Sequence, residues 1–173
     1  MITLWAAGLV LASAGLAQQP PAVKPSQHGT VTQQVAETTI TVDYDRPVAR
    51  GRDLFGALVP YDRVWCPGAN GCTTLTVSTA VTIEGHALAA GTYTLWAKPG
   101  AATWTIIVNR AHPTFHTRYQ TVADQDILAL DVTPRAGLHM ETLAFYFPVV
   151  NAKHAELVFH WGTVVVPLSI DVP

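Results

Sequence analysis

Asp43-Tyr44-Asp45-Arg46-Pro47, Gly51-Arg52-Asp53-Leu54-Phe55-Gly56, Leu58-Val59-Pro60-Tyr61 and Val64-Trp65-Cys66-Pro67-Gly68-Ala69-Asn70-Gly71-Cys72-Thr73-Thr74 belong to one stretch that breaks the rhythm of the chain. Beyond the N-terminal apolar segment, it is the longest part that does not read as a strand. The chain after Thr74 is a succession of short alternations of apolar and polar residues, rich in Thr. The stretch holds both cysteines and four of the ten basic residues, Arg46, Arg50, Arg52 and Arg63. We read it as a long ordered crossover, packed by Leu54, Phe55, Leu58, Val59 and Trp65 against a β-core.

Working outward, Thr38 to Tyr44 alternates with Ile40, Val42 and Tyr44 on one face, a strand signature. Thr73 to Ser78 places Leu75 and Val77 inward, and Val81 to Glu84 runs into the Gly85-His86 turn signal. Gly91 to Trp96 and Thr103 to Asn109 read as a hairpin closed by Lys98-Pro99-Gly100. Ala111 to Asp126 is loop-like, and Ile127 to Val132 alternates again. Thr142 to Val150 carries Leu143, Phe145 and Phe147 on one face. Leu157 to Trp161 and Thr163 to Ile170 flank Gly162 as a final hairpin. About nine or ten strands with regular turn signals, and no helical period after the leader, predict an all-β, single-domain antiparallel sandwich.

Composition agrees with this class. Of the 173 residues 49% are hydrophobic and 13% charged, against about 25% charged in average soluble domains. Uncharged polar groups must therefore cover the surface, and the 21 threonines suit strand faces because Thr is β-branched and stiff at χ1. A net charge of −2 leaves no electrostatic footprint for nucleic acid. Met1 to Ala17 is an apolar run ending in small residues and reads as a signal peptide cut between Ala17 and Gln18, although its start lacks Lys or Arg; an uncleaved anchor, at the short limit for a span, is the alternative. No stable membrane span is expected after cleavage. Residues 18–37 are rich in Gln and Pro and read as an extended arm, with the sandwich occupying 38–173. Thr30, Val31, Thr32 and Val35 form a short alternating run in that arm. Such a run can complete a free sheet edge by main-chain hydrogen bonds, within one subunit or across to the next.

Two cysteines in an exported chain are an even number in a compartment where disulfides persist. Cys66 and Cys72 enclose a loop with Pro67, Gly68 and Gly71 that can turn back on itself, and a disulfide is expected there; two free thiols are the alternative. A zinc site needs more ligands than this pair. His112, His116, His139, His154 and His160 read as scattered surface residues and no metal or other cofactor is expected. Ser26, Ser78 and Ser169 stand in no G-x-S-x-G context. Asp43, Asp45 and Asp53 are close enough in sequence to suggest paired carboxylates, but turn capping and salt bridges to the neighbouring arginines explain them more simply. No catalytic residue is assigned. Trp65, Trp96, Trp104 and Trp161 read as core rather than as a carbohydrate platform.

The block resembles a bacterial domain-of-unknown-function family numbered 2911. The resemblance is carried by Ile40-Thr41-Val42-Asp43-Tyr44 with Arg46-Pro47, Gly51-Arg52 with Phe55-Gly56, Leu58-Val59-Pro60-Tyr61 and Val64-Trp65 with Gly68-Ala69-Asn70. Gly91 to Leu95, Trp104 to Ile107, Trp161 and Val166-Pro167 continue it, over about residues 27–170. It implies export and a compact β-domain and brings no activity. The family's Arg after the Trp and Glu after the Asn are Cys66 and Gly71 in this chain, so a polar site or ion pair there is replaced.

Two classes of function are expected. One is a secreted, non-enzymatic structural or interaction module that self-assembles through the arm into an extracellular filament, or meets another cell-envelope component. The other is a small-ligand or glycan-binding domain, or an enzyme of unrecognised type, using Asp43, Tyr44, Arg46, Arg52, Tyr61, Trp65 and Asn70. A cleft with convergent polar groups favours the second, and an unpaired strand edge the first.

Overall fold

The computed structural model of the chain describes residues 24–173. The leader 1–17, its cut after Ala17 and the arm residues 18–23 lie outside the described residues. The strands are β1 (Gln27–Val35), β2 (Thr38–Arg46), β3 (Thr74–Val77), β4 (Val81–Ile83), β5 (His86–Leu88), β6 (Gly91–Lys98), β7 (Trp104–Asn109), β8 (Asp126–Val132), β9 (Arg135–Val150) and β10 (His154–Asp171). They form an all-β sandwich of two antiparallel sheets, one ordered β1-β2-β3-β6-β7-β8 and the other β5-β4-β10-β9. The loop 110–125 carries only two single 3-10 turns, at Tyr119–Thr121 and Ala123–Gln125.

Three boundaries differ from the sequence reading. The arm is not separate from the sandwich: from Gln27 it is β1, paired with β2 from Gln27↔Arg46 to Val35↔Thr38. Its alternation is the cause. Val31 is half-buried and Val35 fully buried, while Thr30 and Thr32 face solvent. Proline stops at Pro25, so no residue of the strand lacks a donor. The sandwich therefore starts at Gln27 rather than residue 38, and the edge is completed within the same chain.

The second difference is at the C-terminal end. The two runs flanking Gly162 are one strand, β10, that stays beside β9 through register shifts on both sides of Gly162. Gly162 has φ +58, and a Cβ there would come within 2.8 Å of Leu54 Cδ1. The glycine bends a strand instead of turning a hairpin, as glycines in bulges do. The third difference is a consequence of it, since β9 extends back to Arg135 to accompany the long partner.

The core lies between the sheets. Ile40, Val42, Leu75, Leu95, Trp104 and Leu130 from the larger sheet meet Leu143, Phe145, Leu157, Phe159, Trp161 and Leu168 from the smaller. Trp96 points the other way, into a second cluster with Cys66, Cys72 and Ile107 under the 110–125 loop.

The crossover, residues 47–73, links two strands that are neighbours in one sheet, so its length is not needed to connect them. It covers the end of the sandwich instead. Ala49 N–H donates to Glu141 O at 2.7 Å and Leu143 N–H to Pro47 O at 2.9 Å, which shields the outer edge of β9. Trp65 then exchanges both main-chain hydrogen bonds with Ala97 of β6, each at 2.8 Å. The segment thus ties the edge of one sheet to the middle of the other.

Candidate functional site

Phe55 is the plug that seats the crossover. Its ring lies 4.8 Å from Trp104, 6.2 Å from Trp65 and from Trp161, and 6.4 Å from Phe159, all edge-on, the geometry that ring quadrupoles favour. Trp65 and Trp161 stack at 6.0 Å, with 15° between their planes. The two indoles, with Val48, Leu58, Val59 and Val64, form the apolar part of a cleft of about 560 Å³, inside the range of small-molecule sites.

Two arginines enter the same cleft. Arg52 is held by main-chain carbonyls, with Nε donating to Ala49 O at 2.8 Å and Nη2 to Val48 O at 2.7 Å. Arg50 sits at φ +55, a left-handed conformation that costs a residue with a Cβ roughly 1 kcal/mol or more. Its N–H donates to Glu141 Oε1 at 2.7 Å, which fixes the turn. The Glu141 carboxyl is held below the usual carboxylate range, first by its hydrogen bond with His139 and then by the Arg50 N–H. Among the described residues the only arginine within ion-pair reach of a carboxylate is Arg135, 3.1 Å from Glu156.

The expected salt bridges between Asp43, Asp45 or Asp53 and the crossover arginines are therefore not formed. Asp43 and Asp45 face β1 instead, at 3.4 and 3.3 Å from the His28 ring nitrogens. The cause is the register, which brings Gly29 opposite Tyr44 and His28 opposite Asp45. Asp53 lines a neighbouring depression of about 720 Å³ that shares Arg52 and Trp161 with the cleft and is lined also by Leu54, Phe55, Tyr61 and His139.

His116 completes the cleft with Thr117, and the cysteine loop delivers it. Cys72 N–H donates to Thr114 O at 2.8 Å and His116 N–H to Asn70 O at 3.1 Å. Asn70 Nδ2 donates to Asp45 Oδ2 at 2.9 Å, so the loop is pinned to β2 as well. Burial lowers the His116 pKa, which keeps the ring neutral near pH 7. The thiols of Cys66 and Cys72 are both buried, and burial, then the neighbouring Cys66, pushes Cys72 up. Their Sγ atoms stand 2.7 Å apart as free thiols, beyond the ~2.05 Å of a disulfide; the expected disulfide is not formed in this structure.

Of the residues expected to make a binding surface, Arg52 and Trp65 line the cleft. Tyr61 is half-exposed beside the second depression, and Asn70 acts through the loop. Arg46 donates from Nε to Leu143 O at 3.1 Å. Asp43 borders a shallow Thr-lined groove with His112. Tyr44 is a core residue, 4.9 Å ring to ring from Phe145, whose N–H donates to its Oη at 3.0 Å. Tyr44→Phe should leave that buried N–H without a partner and cost about 1–3 kcal/mol, read as a lower urea midpoint at constant m.

The family described as Protein of unknown function (DUF2911) matches residues 26–170. The chain belongs to this family. The match starts where β1 starts, so the DUF2911 domain includes the strand whose composition suggests an arm. No curated protein and no solved structure gives a match to the chain. The cleft residues Arg50, Val48, Val64, His116 and Trp161 are absent from the surface expected from sequence. The positive φ of Arg50 has a faint signal in the Arg50-Gly51 pair ahead of Arg52. His116 has no such signal, because it reaches the cleft through a loop–loop contact distant in sequence. Among the described residues, no three of His, Cys, Asp and Glu converge as a metal site.

Proposed function

We propose that this DUF2911 domain is an exported binding module that holds a small ligand in the crossover cleft. One observation carries the reading: an open, concave site with the half-buried Trp65 in its apolar wall is entered by two arginines, Arg50 and Arg52, neither of which forms an ion pair among the described residues, although Glu141 feels the Arg52 charge. Sites for small molecules combine an apolar wall with a few placed polar groups in this way. Export rests on the apolar run of residues 1–17 with its small-residue end. The Cys66–Cys72 pair belongs to the same reading, since an oxidising compartment would join the two thiols under the His116 wall.

The test is nuclear magnetic resonance of the isotope-labelled mature chain against a library of soluble fragments. Shift changes should gather on the Trp65 and Trp161 indoles and on the Val48, Val64 and His116 amides. Changes scattered over the surface, or concentrated on another face, would sink the reading.

Self-association is a second reading, favoured by the outer side of β1, which no strand among the described residues covers. A partner strand would add there by main-chain hydrogen bonds, head to tail, and extend into a filament if the rotation does not close. Deleting residues 18–35 is not a clean test, because the deletion strips β1 from β2. Sedimentation of the intact mature chain is. A single monomeric species at millimolar concentration would remove this reading and leave the cleft unaffected.

A further inference from the structure

We infer that the cleft ligand is an organic anion, a carboxylate or phosphate joined to a flat apolar body, and that Arg50 is its charge anchor. The inference rests on the binding reading above and narrows it. The cleft's side chains sort by chemistry into two groups. Trp65, Leu58 and Val64 offer apolar area, with the buried Trp161 behind Trp65, and Arg50 and Arg52 offer donors. Among the described residues, no carboxylate or amide side chain lines the cleft. The carbonyls of Val48 and Ala49 are already taken by Arg52. A neutral sugar needs acceptors for its hydroxyls, and among the described residues only Ser26, Thr117 and the His116 ring could supply them from side chains. A planar body against the Trp65 indole with an acidic group at the guanidinium uses what is present, and Arg pairs with carboxylate and phosphate oxygens through parallel N–H donors.

Arg50 is singled out over Arg52 by its bonding. The Arg52 guanidinium is committed to the turn, whereas among the described residues the Arg50 guanidinium makes no hydrogen bond or ion pair. The backbone at Arg50 is left-handed, where Gly would sit without strain. A long cation in a strained backbone position, with its head unspent at the wall of a cleft, is available to a ligand rather than committed to the fold.

That conformation supplies a clean variant. Arg50→Gly removes the cation and suits the backbone, so the melting temperature should stay level or rise. Calorimetric titration of the mature chain would use 2-naphthoate, 2-naphthyl phosphate, 2-naphthylmethanol and cellotetraose. At least one of the two anions should bind tenfold or more tightly than the neutral alcohol and the sugar. That advantage should vanish in Arg50→Gly and persist in Arg63→Gln, a crossover arginine outside the cleft. The tighter of the two anions identifies the acidic group as carboxylate or phosphate. Equal binding of alcohol and anions, preference for the sugar, or an anion advantage that survives Arg50→Gly would overturn the anion assignment while leaving the cleft a binding site. No binding by any of the four at millimolar concentration would overturn both.

Discussion

Phe55→Ala should destabilise the domain by about 3 kcal/mol and, in the same step, dissolve the cleft. The residue is half-buried, so the lower end of the range for aromatic truncation applies. Its ring packs edge-on against Trp104 on β7 and against the stacked pair of Trp65 on the crossover and Trp161 on β10. Without it those edges face a void, and dispersion contacts are lost on several rings at once. The Phe55–Val59 bridge, with Gly56 N–H donating to Val59 O at 2.9 Å, then has no anchor in the core. Chemical unfolding followed by tryptophan emission gives the free energy, and the fragment shifts at Trp65 should fade in the folded variant. Leu58→Ala is the contrast. Leu58 is 43% exposed, and its loss should stay within about 0.5 kcal/mol while weakening ligand contact. If Phe55→Ala matched Leu58→Ala in stability, the plug role would be wrong.

The plug and the cleft are only half legible in sequence because of how each is built. Alternation is local, so the inward sets Ile40/Val42/Tyr44 and Leu75/Val77 are visible, and all five are buried. The packing role of Phe55 and Trp65 is also visible, because large apolar residues in a segment without strand period must be covered by something. Tyr44 reads both ways in sequence, as the end of that inward set and as part of a candidate binding surface, and in the structure it is core. It closes an alternating apolar set, and that period outweighs the polar neighbours Asp43 and Asp45, which point the other way. The β1 strand looks like a loose arm because its inward positions are Gly29, Val31, Gln33 and Val35, only two of them apolar. Pairing with β2 supplies the order that its composition does not announce. The continuous β10 is hidden by Gly162, since glycine marks a turn and a bulge equally well in sequence. The cleft draws on β10, the crossover and the 110–118 loop, and no periodicity connects segments that far apart.

The cysteine pair yields the second large effect. Under the proposed export to an oxidising compartment, Cys66 and Cys72 should be joined, the two thiols giving up two protons and two electrons to a disulfide oxidant such as oxidised glutathione. The chain-entropy estimate for so short a loop is roughly 2–2.5 kcal/mol of added stability. The structure sets the thiols up for this, since both are buried side by side at the end of a loop pinned by Asn70, Thr73 and Gly68. Thr73 N–H donates to Cys66 Sγ at 3.1 Å and its Oγ1 to Pro67 O at 2.7 Å. Burial also raises the Cys72 pKa, and the thiolate is the species that exchanges. Exchange in the folded state should accordingly be slow. Reductant should release no thiol from the native oxidised protein and two thiols per chain once denaturant is added, by alkylation and mass spectrometry. The urea midpoint of the reduced form should be lower than that of the oxidised form. Because Asn70 O holds the His116 N–H, loosening the loop should broaden the His116 resonance before the strands respond. Two thiols in chain recovered from the exported compartment under immediate alkylation would show that the pair stays reduced. The buried cysteines would then serve only to fill the space beneath Trp96.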